Sequence, residues 1–145
     1  MRKTLLVYVK PHVQEDPVSQ ILGIAYLAAV LEKHGIPIEI VDERIVNDTY
    51  MKEAIERNDI CGFSALTPNI RRAIAWAKYA KERGKITIMG GPHATVDHGI
   101  FLDSGHFDYV IKGECEYSFP DFLKALDGQS EEDLIHCLLY TSDAA

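Results

Sequence analysis

Apolar runs and amphipathic stretches alternate along this chain at the spacing of strands followed by helices. "LLVYV" (Leu5–Val9) is a continuous apolar run, as in a strand covered on both faces of a parallel sheet. After a polar loop, "LGIAYLAAVLEKHG" (Leu22–Gly35) is rich in helix formers and ends in Gly35, a residue suited to the position just past a helix. "IPIEIVD" (Ile36–Asp42) alternates and carries Pro37 and Glu39, which suits an edge strand. "TYMKEAIERN" predicts a short helix, and "ICGFSA" (Ile60–Ala65) a third strand. In "NIRRAIAWAKYAKERG", residues Ile70, Ala73, Ile74, Ala77 and Ala80 share one face, and Gly84 stops the helix. "KITIM" then predicts a fourth strand, "TVDHGIFLDSG" a weak helix, "FDYVIKG" a fifth strand and "SFPDFLKALDG" a last helix.

Strands alternating with helices in this way predict an α/β fold of three layers, flavodoxin-like or Rossmann-like, around a five-stranded parallel sheet. Polar alternation places the second and fifth strands at the edges, which fits the order 2-1-3-4-5. In such a sheet, ligands sit beyond the carboxyl ends of the strands, at the switch point between the first and third.

Composition narrows the class without changing the fold. With 145 residues, 47% hydrophobic and 26% charged, the chain holds one domain with a sizeable core. A net charge of −7 argues against nucleic acid or an anionic membrane as partner. No apolar run has the length of a membrane span. "MRKTLLVYV" has the charges of a signal peptide, but only a strand-length apolar stretch and no cleavage site. The three cysteines, Cys61, Cys115 and Cys137, form neither a disulfide framework nor a CxxC pair, which gives a cytoplasmic reading. The tail "CLLYTSDAA" (Cys137–Ala145) matches the in-frame translation of a transposon-end sequencing adapter. The natural domain is therefore expected to comprise residues 1–136, as a fragment of a longer protein, with 137–145 set aside.

The loops after the strands carry the candidate chemistry. The first, "KPHVQEDPVSQI" (Lys10–Ile21), is long for its position and reads equally as a functional loop or a surface excursion. In "SALTPN" (Ser64–Asn69), backbone N–H groups together with Ser64 and Thr67 could hold a phosphate or an amide-bearing ligand. Thr67 or Asn69 would also cap the next helix. In "ITIMGGPHAT", Gly90 and Gly91 followed by Pro92 and His93 strip side chains from the end of a buried strand. One glycine suffices for a tight turn, so two favour close approach of another surface. Gly113 beside Glu114 in "KGECE" repeats the theme. Together these turns outline a broad trough with few charges, large enough for a nucleotide-sized or larger ligand.

Several chemistries are excluded. A receiver domain needs acids where Lys10 and Ser64 stand. Asp42 ends the second strand like a ribose-binding acid, but no GxGxxG precedes it, so it reads as a turn cap. The six histidines never pair at zinc spacing with cysteines or acids, and His34 reads as a helix-terminal cation. A hydrolytic triad on Ser64 and His93 lacks the GxSxG elbow.

In order and spacing, "LGIAYLAAVLEKHG", "IEIVDE", "ICGFSALTPNI", "IMGGPHAT" and "FDYVIKGECEYSFPDFLKAL" resemble the N-terminal cobalamin-binding domain of B12-dependent radical SAM enzymes. The resemblance runs from Leu5 to Leu126 and is sharpest in "GGPHAT" followed by "DYVIKGE". It implies a corrin ring lying across the strand ends, with the nucleotide tail passing between sheet and helix near the glycines. By position, Ser64, Ala65, Leu66 and Thr67 would face the corrin or tail. Gly90, Gly91, Pro92 and His93 would line the tail, and Gly113 and Glu114 the far rim. The D-x-H-x-x-G motif, whose histidine ligates cobalt in many cobalamin domains, has no match. His12 has Lys10 two residues before it and Glu15 three after. Cobalamin is therefore expected base-off, without a protein histidine ligand. Where many radical SAM relatives have Pro-Leu-Gly opening the first helix, this chain has Ile21-Leu22-Gly23.

No CxxxCxxC motif occurs, so a [4Fe-4S] cluster and S-adenosylmethionine are expected to belong to a radical SAM domain of the parent protein. The fragment itself would hold no catalytic or metal-ligating residue. The parent would use the cofactor for methyl transfer or a radical rearrangement. The alternatives are a nucleotide- or flavin-binding domain on the same fold, or an interaction domain with no ligand.

Overall fold

Every residue of the first strand, β1 (Thr4–Tyr8), is buried, as its unbroken apolar run requires of a central strand. A computed structural model of the chain describes residues 2–10, 18–65, 69–91, 99–111, 118–128 and 138–141. After β1 come α1 (Val18–Lys33), β2 (Ile38–Asp42), a 3-10 turn (Glu43–Ile45), α2 (Asp48–Arg57), β3 (Ile60–Ser64) and α3 (Ile70–Glu82). β4 (Ile86–Gly90), α4 (Gly99–Asp103), β5 (Tyr109–Ile111), α5 (Phe119–Leu126) and β6 (Leu138–Thr141) follow.

The first five strands are parallel and lie in the order β2-β1-β3-β4-β5, as the alternation of elements predicts. β6 adds one antiparallel strand outside β5. The expectation that the fifth strand ends the sheet is thus corrected. A parallel edge strand presents an unpaired row of backbone groups, and the run Leu138–Thr141, from the tail set aside above, pairs with it. At the other edge, β2 meets its expectation, and Glu39 there bonds Arg57 and the Asn58 amide at 2.7 Å.

Side chains alternate between the two faces of the sheet. On one face Leu5, Val7, Val41, Cys61, Phe63 and Met89 pack against α2, α3 and α4. On the other Leu6, Tyr8, Ile60, Ile88 and Ile111 meet α1 and α5. α1 begins at Val18, so the polar loop after β1 is shorter than the sequence suggests. Its far end is as expected, with Gly35 at φ 69°, and Gly84 closes α3 in the same way at φ 74°. His34 Nδ1 donates to the Val30 carbonyl at that helix end.

The predicted apolar stripe of α3 places Ala73, Ala77 and Ala80 in the core, but its largest contribution is Trp76. Of the two caps expected above, Asn69 precedes this helix without a side-chain cap bond, and Thr67 lies outside the described residues. At the amino-terminal foot of the sheet, Asp108 accepts from Thr87 N at 2.8 Å and pairs with Lys81, tying β5 to β4 and α3.

Candidate functional site

Strand register sets the layout of the switch point. Asp42 is level with Tyr8, Tyr8 with Ser64, and Ser64 with Gly90. These four residues form the last row across the carboxyl end of the sheet. They share the face of Leu6 and Ile88, covered by α1 and α5, because each lies two positions beyond a residue of that face. Along the row, side-chain volume falls from aspartate and tyrosine through serine to nothing.

At the large end, Asp42 accepts from Arg44 N at 3.0 Å and pairs with the Arg44 guanidinium at 2.8 Å. The guanidinium also lies over the Tyr8 ring, 4.7 Å from its centroid. Burial works against the charged form of Asp42, but these bonds outweigh it and hold the carboxyl below its usual range. Asp42 is thus the turn cap that the sequence suggests.

At the small end the two glycines differ. Among the described residues a Cβ at Gly90 would meet nothing within 4 Å, and the residue is not in the left-handed region. A Cβ at Gly91 would come within 2.9 Å of Ser64 Oγ, and its φ of 102° disfavours any side chain. So Gly91, the residue that leaves β4, lies against the end of β3, where glycine is needed. Gly90 is the position that leaves open space.

Gly62, one row deeper, is a residue the sequence reading passed over. A Cβ there would come within 2.9 Å of Leu6 Cδ2, so a neighbouring side chain already fills that gap. A glycine inside an apolar strand was the available signal.

The opposite face of the strand ends is closed. Glu43, buried in the 3-10 turn, accepts from Trp76 Nε1 at 2.9 Å, from Arg72 Nε at 2.8 Å and from the backbone N–H of Lys10 at 3.2 Å. Its carboxylate raises the pKa of Arg72 through their hydrogen bond. Asn69, fully buried, donates through Nδ2 to the Val9 carbonyl at 3.3 Å, and Val9 N–H donates to the Ser64 carbonyl at 3.0 Å. Asn69 Oδ1 has no partner among the described residues. Sequence reading missed Glu43 because an acid in a turn reads as a solvated charge.

Of the candidates named from the sequence, Ser64, Gly90 and Gly91 come together at the end of β3 and β4. Ala65 sits beside them with its methyl packed toward α2 and α3. Leu66, Thr67, Pro92, His93, Gly113 and Glu114, and His12, lie outside the described residues. Among the described residues no group of His, Cys, Asp and Glu could hold a metal ion, and no helix is long and apolar enough to cross a membrane. Burial pushes the Cys61 thiol up to about 12, so it is no nucleophile.

Comparison with known proteins matches this layout to a family. The B12 binding domain family model matches residues 18–123. Among curated proteins, cytidylyl-2-hydroxyethylphosphonate methyltransferase of Streptomyces wedmorensis is 27% identical over 140 residues, which is 79% of this chain and 26% of that protein. Among solved structures, the radical S-adenosylmethionine methyltransferase TsrM of Kitasatospora setae superposes with a TM-score of 0.74 at 17% identity, over 90% of this chain and 27% of that one. OxsB, a cobalamin-dependent S-adenosylmethionine radical enzyme solved with aqua-cobalamin bound, gives 0.75 at 17% identity, over 90% of this chain and 19% of that one. The chain therefore spans about a quarter of the curated relative's length.

Proposed function

The chain belongs to the B12 binding domain family, and from that premise we propose that it is the cobalamin-carrying domain of a larger B12-dependent radical SAM enzyme. The observation that carries the reading is the last row of the sheet, which tapers from Asp42 and Tyr8 to an open position at Gly90. Cobalamin is broad and carries a bulky lower nucleotide arm. Among the described residues Glu43 and Asn69 occupy the α2 and α3 side of the strand ends, so such a group would enter from the α1 and α5 side. The residues present fit it.

On this reading Tyr8 and Ser64 would support the corrin, and Gly90 would leave room for the tail. Gly91 shapes the floor where it lies against Ser64, with Ala65 beneath it as backbone support. By the family resemblance Leu66, Thr67, Pro92 and His93 would line the ligand, and Gly113 and Glu114 the far rim; all six lie outside the described residues. When bound, the cobalt centre supplies the capacity to carry a methyl group or to take part in one-electron chemistry. The chain's own task is to bind the ring, orient it and keep water from its lower face. On this reading no histidine of the chain would ligate the cobalt. The cluster and S-adenosylmethionine belong to another domain of the parent protein, and the fragment is inactive alone. Residues 137–145 lie outside the natural domain.

Titration of the purified chain with hydroxocobalamin tests the reading. A stoichiometric complex with a base-off absorption spectrum is expected. A spectrum identical to free cofactor at high protein concentration, or a yellow protein that co-purifies with flavin, would overturn it.

A further inference from the structure

We propose that the outer face of α1 is a docking surface for the remainder of the parent polypeptide. The inference rests on one part of the reading above, that the chain is a domain of a larger protein, and goes beyond it in naming where the rest of that protein sits. Every residue of the helix from Ile21 to Leu31 is uncharged. The core takes only one side of this stretch: Ile24, Ala28 and Leu31 are buried, with Leu27 packed beside them.

The other side is apolar as well, and it is uncovered. Gly23, Ala25, Tyr26 and Ala29 are exposed, and Tyr26 keeps 52% of its surface in water. Ile40 of β2, level with Leu6 and so on the sheet face that α1 covers, is 44% exposed. A surface helix normally sets charges opposite its core stripe. The neighbouring helices do so: α3 turns Arg71, Lys78 and Glu82 to solvent, and α2 turns Lys52 and Glu53. A helix that is apolar all round belongs in an interior, so α1 is built for a second layer of protein.

Size and position name that layer. The chain covers 26% of the curated relative, and 27% and 19% of the two enzymes it superposes on, so in a parent of that kind most of the protein lies outside it. β1 and β2 are parallel, so α1 runs back from the carboxyl end of the sheet, and its first turns stand at the end that carries the open row. A body seated on α1 is thereby held close to the proposed cofactor. Gly23, Ala25 and Ala29 leave a shallow surface on which another helix can lie close, with Tyr26 as an anchor. An uncharged face of this kind suits a permanent contact within one polypeptide better than a transient one.

The test reads Tyr26 by hydroxyl-radical footprinting and mass spectrometry in the 145-residue chain and in the full-length parent protein. Tyr50 serves as the reference, because it is 41% exposed and belongs to α2, on the opposite side of the sheet. In the parent, labelling of Tyr26 should fall about tenfold relative to Tyr50, since burial would take it from 52% exposed to a few per cent. Ala29→Glu in the parent should return Tyr26 to the rate of the short chain, because it sets an unpaired carboxylate in the contact. The same substitution in the 145-residue chain should leave the melting temperature within about 2 °C, as an exposed helix position tolerates glutamate.

Equal labelling of Tyr26 in the two proteins would overturn the proposal, as would an Ala29→Glu parent in which the protection persists. So would a 145-residue chain that is dimeric with Tyr26 protected, since the face would then belong to a second copy. A monomeric chain with Tyr26 protected would overturn it too, since the chain's own residues would cover the helix. Hydroxocobalamin titration of the same parent separates the two readings. A parent that protects Tyr26 and binds no cobalamin sinks the cofactor reading and supports the docking surface. One that binds cobalamin with Tyr26 labelled freely sinks the docking surface alone, and a gene that ends with this chain would overturn it outright.

Discussion

Substituting the two adjacent glycines should separate what the fold needs from what the ligand needs. Gly90 has an ordinary backbone conformation, and a methyl group added there would meet nothing within 4 Å among the described residues. Gly90→Ala is therefore expected to be neutral, or stabilising by up to about 1 kcal/mol, since it removes glycine's extra chain entropy in a strand. Gly91 has φ 102°, and a Cβ there meets Ser64 Oγ at 2.9 Å. The backbone alone should cost Gly91→Ala about 1–2 kcal/mol. At about 3–4 °C per kcal/mol for a chain of this size, the melting temperature should fall by roughly 3–8 °C.

Ligand binding should show the other half of the contrast. Gly90→Leu places four carbons at this position, the first of which meets no described atom within 4 Å. If they exclude two or three ligand carbons from burial, at ~0.8 kcal/mol each, the loss is about 2 kcal/mol. That is roughly a thirtyfold rise in Kd for hydroxocobalamin. Thermal melts of the free proteins and absorbance titrations of each variant provide both readings. Gly90→Leu that binds as tightly as wild type would refute the placement of the cofactor past this strand. An unchanged melting temperature in Gly91→Ala would refute the account of Gly91 against the end of β3.

Three further outcomes are expected. Cys61, fully buried with its thiol pushed up to about 12, should resist iodoacetamide in the native protein at pH 8 and react once denatured, as read by mass spectrometry of its peptide. Acid should weaken the β2 edge. The Arg57 hydrogen bond, against the opposing effect of burial and helped by Asn58, holds Glu39 below its ordinary 4.5. Arg44, against a stronger burial effect, holds Asp42 below 3.8. Both carboxylates favour folding above those values, and that stability is lost as pH falls through the lower folded values. Urea midpoints should therefore drop below about pH 4.5, and a midpoint that rises with acid would contradict the sign. Deleting residues 137–145 should leave cobalamin affinity within twofold, because β6 lies outside β5 and away from the row through β1, β3 and β4. A larger loss would bring that edge into the site.

What the sequence made legible was whatever repeats. The continuous run of β1, the Pro37 and Glu39 of the edge strand and the glycines after α1 and α3 each act through neighbours in sequence, and the strand order followed from their alternation. The polar side of the site did not repeat. Glu43 matters because Arg72 and Trp76, about thirty residues later, converge on it with Lys10. No local pattern distinguishes that acid from a solvated one. The glycine pair was half legible. Its side-chain poverty was plain, but that Ser64 lies against Gly91 while space lies open at Gly90 depends on the register of β3 with β4. The start of α1 and the pairing of β6 were hidden for the same reason, since neither is set by a turn residue.

The asymmetry of the strand ends also bears on how a large cofactor could be held without phosphate chemistry. A dinucleotide site relies on a glycine-rich turn at a helix N-terminus, with backbone N–H groups aimed at charge. Here the backbone at the exit of β1 is already spent on protein partners: Val9 N–H on Ser64, the Val9 carbonyl on Asn69 and Lys10 N–H on Glu43. What remains at the row is shape, with Tyr8 under a guanidinium at one end and no side chain at the other. On the proposed reading, the described part of this surface would select by volume more than by charge, which suits a broad amide-fringed ring with a long arm better than a compact anion. Rigidity then matters more than any single contact, because a shape-selective site loses its selectivity if its walls move. The buried polar bonds on the α2 and α3 side would supply that rigidity from the face opposite the proposed site.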